Sequence, residues 1–161
     1  MLALGGASLL AFGRAAAAAP ALARADRVLV LKSRRQLLLL REGRVLALFP
    51  ICLGRNPVGP KRAQGDGRTP EGFYRIDRRD PECRYRHFLH VSYPGPADLA
   101  LARAAGVSPG GDIGIHGLPG DLDQFGPVAF DWTNGCIAVS NRAIDEIWDR
   151  VGLGTPIEIR A

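Results

Sequence analysis

The stretch IGIHGLPGDLDQFGPVAFDWTNGCIAV, residues 113–139, carries the most specific pattern in the sequence. A histidine, His116, lies near its start, and a cysteine, Cys136, lies near its end, twenty positions later. Cysteine is a strong nucleophile only as the thiolate, and a neighbouring imidazole can take up its proton. Because such partners meet in space and not in sequence, two strands joined by a loop would bring them together. The stretch therefore predicts a Cys–His pair for nucleophilic catalysis.

Glycine and small polar residues surround both members of this pair. Gly117 follows the histidine and Gly135 precedes the cysteine, and the lack of a side chain would let a substrate backbone come close. The N–H groups of Cys136 and of one neighbour, either Gly135 or Asn134, are candidates for stabilising a developing oxyanion. Gly117 and Thr133 are the predicted substrate contacts within this stretch.

Three segments of the sequence together resemble the catalytic domain of the L,D-transpeptidases, the YkuD-type family. His-Gly, a loop rich in glycine and proline, and Thr-x-Gly-Cys-Ile followed by Ser-Asn are similar to the family's signature. Upstream, GDGRTPEG at residues 65–72 is similar to its Gly-Asp-x-x-Thr-Pro-x-Gly segment, and ADRVLVLKSRRQLLLL resembles its opening hairpin. The resemblance covers residues 26–159.

The sequence departs from the family's pattern at two positions. Many members have His before the Gly-Cys pair, where this chain has Asn134, and many have Arg two places after the Cys, where it has Ala138. A branch of the family carries a form like DWTNGCIAVSN, so the resemblance still implies that Cys136 is the nucleophile and His116 the base. It does not supply the substrate contacts that the missing arginine normally makes.

The resemblance implies cysteine-dependent acyl transfer on peptidoglycan stem peptides. Cys136 would attack the amide between meso-diaminopimelate and D-Ala, while His116 would take the thiol proton and pass it to the leaving amine. An amine of another stem would then release the thioester. The alternative is hydrolysis at the same site, as in an L,D-carboxypeptidase or endopeptidase. Neither a cofactor nor a metal is implied, and we expect a monomer with peptidoglycan as its partner.

A third group usually orients a catalytic histidine. Asp112 and Asp131 are acids near the motif, and Gly117 can offer its backbone carbonyl. The sequence leaves these three candidates open.

Two functions from other classes compete with this interpretation. A zinc hydrolase would draw on the histidines and one nearby acid, but the spacing of His87, His90, His116 and Asp112 matches no common site. A wall-binding module without catalysis would not need Cys136. Along a strand, His87 and His90 would point to opposite faces, so each is interpreted as structural or cleft-lining, and His90 is predicted to contact the substrate.

The rest of the sequence predicts a mainly β fold of two mixed sheets with one or two peripheral helices, and the family resemblance implies that this fold is an L,D-transpeptidase-like sandwich. The 20 glycines and 12 prolines favour many turns. Alternating apolar residues predict strands at residues 27–32, 36–40, 44–53, 73–77, 87–92, 113–116, 137–139 and 155–159. Helices are predicted at residues 98–105 and 142–151, the second capped by Ser140 or Asn141 with a Glu146–Arg150 pair outside.

The first 25 residues are predicted to be an export leader, either a signal peptide or an N-terminal anchor. They are rich in Leu and Ala and end in Ala-Arg-Ala before Asp26, which is typical of a cleavage site. Their uninterrupted apolar run is shorter than a spanning helix needs. Residues 26–161 would then be the catalytic domain in the periplasm or cell envelope, without a membrane span after cleavage.

Charge and cysteine count agree with an exported wall protein. Removal of the two arginines in the predicted leader would reduce the net charge from +5 to +3, a modest positive charge that suits an anionic polymer such as a cell wall. No Lys/Arg run is long enough to indicate nucleic-acid binding. Three cysteines are an odd number. With Cys136 as a catalytic thiol, Cys52 and Cys83 would either form a disulfide or remain two thiols.

Overall fold

Eight strands and two helices make up the part of the chain that the computed structural model describes, residues 22–120 and 130–161. The strands are β1 (Arg27–Leu31), β2 (Gln36–Arg41), β3 (Arg44–Pro50), β4 (Gly72–Asp80), β5 (Phe88–Val91), β6 (Gly114–His116), β7 (Ile137–Ala138) and β8 (Pro156–Arg160). The helices are α1 (Pro96–Ala104) and α2 (Asn141–Arg150). The predicted mainly β architecture with two helices is confirmed.

The strands form one mixed sheet in the order β3-β2-β1-β8-β4-β5-β6-β7. Strands β1 and β8 are parallel, as are β6 and β7, and the other neighbours are antiparallel. The two predicted sheets are continuous because β4 pairs with β8 over its first half and with β5 over its second half. The sheet curls, since Cys52, just beyond β3, exchanges two backbone hydrogen bonds with Ala138 of β7, 2.8 and 2.9 Å long.

The core lies along one face of this curled sheet. Alternate residues of the strands, such as Val28 and Val30 in β1 and Leu37 and Leu39 in β2, are fully buried. Each such side chain stabilises the fold by about 1.5–3 kcal/mol relative to an exposed position. The sheet therefore carries its stability on one face, as strand periodicity predicts.

Helix α2 covers this core as the sequence predicts. Its buried face is formed by Ala143, Ile144 and Ile147, while Trp148 packs at the edge of the core. The Ser140 hydroxyl accepts the N–H of Ala143 at 3.2 Å and caps the helix. On the outer side, Glu146 and Arg150 form the predicted i,i+4 ion pair at 2.9 Å.

Three element boundaries differ from the predictions by two or more residues. Strand β3 ends at Pro50, three residues before the predicted end at Leu53, because its pairing with β2 stops at Gln36, where β2 begins. Helix α1 begins at Pro96, earlier than predicted, because proline is well suited to the first turn and Asp98 accepts the Gly95 N–H at 2.9 Å in a capping box. Strand β4 continues to Asp80, three residues further than predicted, because its second half pairs with β5.

The loop between β3 and β4 is held by a buried lysine. Lys32 donates to the carbonyls of Gly59 (2.7 Å) and Thr69 (2.9 Å) and to the Glu71 carboxylate (2.8 Å). The Thr69 hydroxyl in turn accepts the Gly54 N–H at 3.1 Å. These contacts give the Thr-Pro segment an architectural role, and the carbonyl of the preceding Arg68 packs against Gly135 in the turn that carries Cys136.

Most of the predicted leader, residues 1–21, lies outside the described residues. Ala25, the last residue of the predicted leader, lies within the described part, and its N–H donates to the Arg150 carbonyl at 2.9 Å. Within residues 22–120 and 130–161, every helix is too short or too polar to cross a bilayer.

Candidate active site

His116 and Cys136 lie on neighbouring parallel strands. The register pairs Ile115 with Ile137 and His116 with Ala138, which places Gly114 beside Cys136. Because side chains alternate along a strand, the buried Ile115 and Ile137 face the core while His116 and Cys136 both face the opposite side. Both residues line one cavity of about 480 Å³. The predicted arrangement of two strands joined by a loop therefore brings the two side chains into one site.

The Cys136 thiol is protonated in this environment. Burial raises its pKa to about 11, and the Asp112 carboxylate and Cys83 add to this, although the Gly114 N–H lowers the pKa. The Sγ atom lies 3.4 Å from the Asp112 backbone oxygen, to which the thiol donates. The thiolate that catalysis requires must therefore form during the reaction.

The His116 imidazole is held neutral and in one tautomer. It is only 2% exposed, and this burial lowers its pKa, partly offset by the hydrogen bond to Gly117, while the charge of Arg84 lowers it further. Its Nδ1 lies 2.7 Å from the Gly117 carbonyl, which can only accept, so Nδ1 carries the proton. Nε2 is then free of a proton and can act as a base.

Of the three candidate orienting groups, the Gly117 carbonyl contacts the histidine. Asp131 instead pairs with Arg35 at 2.7 Å and accepts the Leu53 N–H. The Asp112 side chain lies 3.5 Å from Arg78. The two acids therefore serve other contacts, and Asp112 approaches the site through its backbone carbonyl.

Aromatic residues pack around the imidazole. Tyr85 stacks on the His116 ring with centroids 4.5 Å apart and planes at 24°, and Trp132 meets its edge at 5.8 Å. Phe88 pairs with His116 across β5 and β6. Tyr85 also accepts the Gly117 N–H on its carbonyl at 2.9 Å. No local sequence signal indicates these three aromatic residues, since Tyr85 comes from a polar loop and the β5–β6 register is not visible in sequence.

The turn before the nucleophile is held by the Thr133 hydroxyl. Its Oγ1 accepts the Gly135 N–H at 3.0 Å and donates to the Cys136 carbonyl at 2.7 Å. Gly135 has φ +137°, and a Cβ there would lie 2.7 Å from the Arg68 carbonyl oxygen. Of the two candidate neighbours for an oxyanion site, Gly135 thus already uses its N–H, and Asn134 lines the cavity.

Of the three predicted substrate contacts, Thr133 lines the cavity, whereas Gly117 and His90 do not. Thr133 lines the cavity, but its hydroxyl is engaged within the turn. A Cβ on Gly117 would lie 2.5 Å from the Asn141 Oδ1, so this glycine serves close packing. His90 shares the face of His116 but lies one strand further out, 2.5 Å from Asp77. Neither Gly117 nor His90 is among the described residues that line the cavity.

No disulfide joins Cys52 to Cys83. Cys52 is buried beside β7, whereas Cys83 lines the same cavity as Cys136. In the described part of the chain, no three His, Cys, Asp or Glu side chains come together as a metal site. His87 stacks on Trp148 instead, at 4.5 Å.

Comparisons with known proteins place this site in a family context. The model of the YkuD L,D-transpeptidase catalytic domain matches residues 25–159. The "Putative L,D-transpeptidase YafK" of Escherichia coli K12 is 34% identical over 109 residues, which are 66% of this chain and 37% of that protein.

Solved structures share the fold. The helical cell shape determining protein Pgp2 from Campylobacter jejuni has a TM-score of 0.66 and 27% identity, covering 83% of this chain and 46% of Pgp2. The L,D-transpeptidase from Xylanimonas cellulosilytica has a TM-score of 0.58 at 16% identity, covering 86% of this chain and 61% of that one. This chain therefore spans less than two thirds of each of these relatives.

Proposed function

Because the chain belongs to the YkuD family of L,D-transpeptidase catalytic domains, we propose that it transfers acyl groups between peptidoglycan stem peptides with Cys136 as nucleophile. One observation carries the proposal: His116 and Cys136 face the same side of two paired strands and line one cavity. The tautomer set by Gly117 leaves Nε2 of the histidine as the proton acceptor. An L-centre of meso-diaminopimelate, linked to D-Ala, is the proposed acyl donor.

The reaction begins with a neutral thiol and a neutral imidazole. As the Cys136 sulfur attacks the amide carbonyl, its proton passes to Nε2 of His116, and the N–H groups of Cys136 and Asn134 stabilise the oxyanion. The tetrahedral intermediate then collapses, the C–N bond breaks, and His116 returns the proton to the leaving amine. This leaves a thioester on Cys136 and releases D-Ala. Because both groups start neutral, proton transfer accompanies attack.

The acceptor decides between transfer and hydrolysis. An amine of a second stem peptide would release the thioester as a cross-link, while water would release a shortened peptide. Ala138, in register with His116, is 1% exposed and offers no cation to the cleft. Because the cleft lacks a cation at this position, L,D-carboxypeptidase or endopeptidase activity is the second candidate function.

The proposed site of action is the cell wall. The name of Pgp2 describes it as a determinant of helical cell shape. A wall substrate for this chain agrees with that relative and with the net charge of +5. We propose export through the segment at residues 1–25, with the domain acting as a monomer at peptidoglycan.

Intact-mass spectrometry with a tetrapeptide stem donor tests the proposal. We expect an adduct equal to the tripeptide minus water, located on Cys136 by peptide mapping and absent in Cys136→Ala. Cys52→Ala, which removes a thiol outside the cavity, is the matched control and should still form the adduct. Acyl transfer by Cys136→Ala at the parent rate would contradict the proposal.

Product analysis of the same incubation separates the two candidates. A cross-linked dimer of stem peptides indicates transfer, and a tripeptide without any dimer indicates hydrolysis. Both outcomes require the Cys136 adduct, so the products show whether an amine or water releases the thioester, and Cys136 is the nucleophile in either case.

A further inference from the structure

Strand β7, which follows the nucleophile, offers no cationic side chain to the carboxylates of the proposed substrate. Ala138 occupies the position in register with His116, and it is buried. The charged side chains among the described lining residues, apart from the catalytic pair, are the carboxylates of Asp80 and Asp112. A stem peptide carries a carboxylate on each side of the amide that is cleaved. Cations for these groups must come from residues at the edge of the cavity.

Arg84 lies on the histidine side of the cavity. Its guanidinium carbon is 4.5 Å from the centroid of the Tyr85 ring, and its Nη2 donates to the Tyr85 hydroxyl. The Tyr85 ring in turn stacks on His116. Arg84 is thus bound to the ring that packs on the imidazole, and its positive charge is near enough to His116 to lower the pKa of that residue.

Arg55 lies on the cysteine side of the cavity. Its Nη2 donates to the Oδ1 of Asn134, and its backbone N–H donates to the Thr133 carbonyl at 3.0 Å. Asn134 lines the cavity two residues before Cys136. The side chain of Arg55 is therefore attached to the turn that presents the nucleophile.

Among the described residues, neither of these two arginines has a carboxylate partner. Arg35 and Arg78 also approach the site, but they pair with Asp131 and Asp112. Within residues 22–120 and 130–161, Arg55 and Arg84 contact neutral groups and no carboxylate. A guanidinium has five donors, so each retains free N–H groups for a bidentate carboxylate.

We propose that Arg84 binds the carboxylate of the leaving fragment and Arg55 binds a carboxylate of the acyl fragment. The assignment rests on the proposed function, because His116 gives its proton to the leaving amine and so has the leaving fragment on its own side. A leaving D-amino acid has its carboxylate one carbon from that amine, within reach of Arg84. The acyl fragment then extends past Asn134, where Arg55 meets the carboxylate at the D-centre of the diamino acid.

Calorimetric titration in a Cys136→Ala background tests each arginine with a paired ligand. The ligands are the tetrapeptide, its C-terminal amide, and the tetrapeptide with L-Lys in place of diaminopimelate. We expect Arg84→Ala to weaken binding of the free acid about tenfold and to leave binding of the amide unchanged. Arg55→Ala should weaken binding of the diaminopimelate peptide by a similar factor and leave the Lys peptide unchanged.

The controls separate charge recognition from structural damage. Arg44→Ala removes an exposed guanidinium at the start of β3 and should change none of the affinities. Arg84→Lys keeps the charge and should recover part of the discrimination between acid and amide. If Arg84→Ala weakens acid and amide equally, it acts only by supporting Tyr85, and the inference is wrong.

The remaining outcomes distinguish this inference from the proposed function. Selective losses in the arginine variants, without an adduct on Cys136 in the otherwise intact protein, would support the subsites and contradict the acyl-transfer proposal. An adduct on Cys136 with no selective loss in either arginine variant would contradict the subsites alone. Absence of binding to all three peptides would overturn both.

Discussion

At the scale of single residues, the proposed catalytic pair is a neutral acid and a neutral base. Burial shifts the two pKa values apart, lowering that of His116 and raising that of Cys136 to about 11. An ion pair would need the opposite order of pKa values. In the proposed mechanism, the thiol proton therefore moves to His116 only as the sulfur attacks the substrate.

This arrangement predicts the pH dependence of Cys136 acylation. Activity requires neutral His116, so the acylation rate should fall as pH drops below the lowered pKa of the histidine, which lies under 6.5. Above neutrality the rate should stay level up to about pH 9, because the thiol keeps its proton until its pKa near 11. Single-turnover acylation from pH 5 to pH 9, followed by intact mass, measures this. A decline between pH 7 and pH 9 would indicate a preformed ion pair instead.

Gly135 is required for the geometry of the nucleophile turn. Gly135→Ala should lower the free energy of unfolding by about 2 kcal/mol or more and reduce acylation at least tenfold, since φ is +137° and the new methyl would meet the Arg68 carbonyl. Thermal unfolding and single-turnover acylation are the measurements. For stability, Gly111→Ala is the control because its Cβ would meet open space. Equal melting temperatures for both variants would contradict the account.

At the scale of elements, apolar periodicity predicts a strand or helix well where one face of the element is buried over several repeats of the pattern. The strands β1 and β2 and the helix α2 were predicted within one or two residues, including the Ser140 cap. These elements can be predicted from local sequence signals: alternating apolar and polar residues, an amphipathic stripe and a capping residue.

Other parts of the site depend on contacts between distant segments. Tyr85 belongs to the loop between β4 and β5, and its stacking on His116 arises only when that loop folds back over β6. The positions of Gly117 and His90 also depend on tertiary contacts. Gly117 is placed by close packing against its neighbours, and His90 is placed by the β5–β6 register. The sequence could indicate Cys136 and His116 as the candidate pair because their chemistry is carried by residue type, and the structure brings both to one cavity.

The loop between β3 and β4 is stabilised by a carboxylate, and this predicts an acid-sensitive element. Burial by itself raises the pKa of Asp66, but the N–H groups of Arg62, Ala63 and Arg68 and the Lys61 ammonium lower it to about 2. Because the pKa is depressed, the stabilisation is present above about pH 4 and is lost as pH falls through 2. Asp66→Asn should cost about 2 kcal/mol of unfolding free energy at pH 7.

Denaturant unfolding of the parent and Asp66→Asn at pH 7 and pH 3 measures this cost. We expect the difference between the two proteins to shrink at pH 3, since the parent carboxylate begins to protonate on unfolding. Asp149→Asn, which changes an exposed carboxylate on α2, is the control and should change the free energy by less than about 0.5 kcal/mol. A difference that is the same at both pH values would contradict the account.

At the scale of the whole molecule, the curled sheet is what assembles the site. The segment after β3 reaches β7 through the Cys52–Ala138 bridge, and Gly54 bridges Thr133 in the turn before the nucleophile. These pairings join residues about eighty positions apart, which no local pattern reveals. The family resemblance supplied the fold class, while the closure of the sheet is a finding of the structure.

The net positive charge predicts salt-sensitive association with the wall polymer. With a net charge of +5, the Cys136→Ala protein should co-sediment with isolated peptidoglycan at low ionic strength and be released as salt shortens the screening length to a few ångströms. Sedimentation at 20 mM and 1 M NaCl is the measurement. A bound fraction independent of salt would indicate that charge does not drive the association.

The most direct test of the account is the rate of Cys136 acylation in His116→Asn at pH 7, followed by intact mass against the parent. The account predicts a loss of about 100-fold to 10,000-fold, because the imidazole is the base that takes the thiol proton. Alkylation of Cys136 by iodoacetamide at pH 10 should persist in the variant and verify that the thiol is present and accessible. A rate within threefold of the parent would contradict a Cys136–His116 pair as the catalytic machinery.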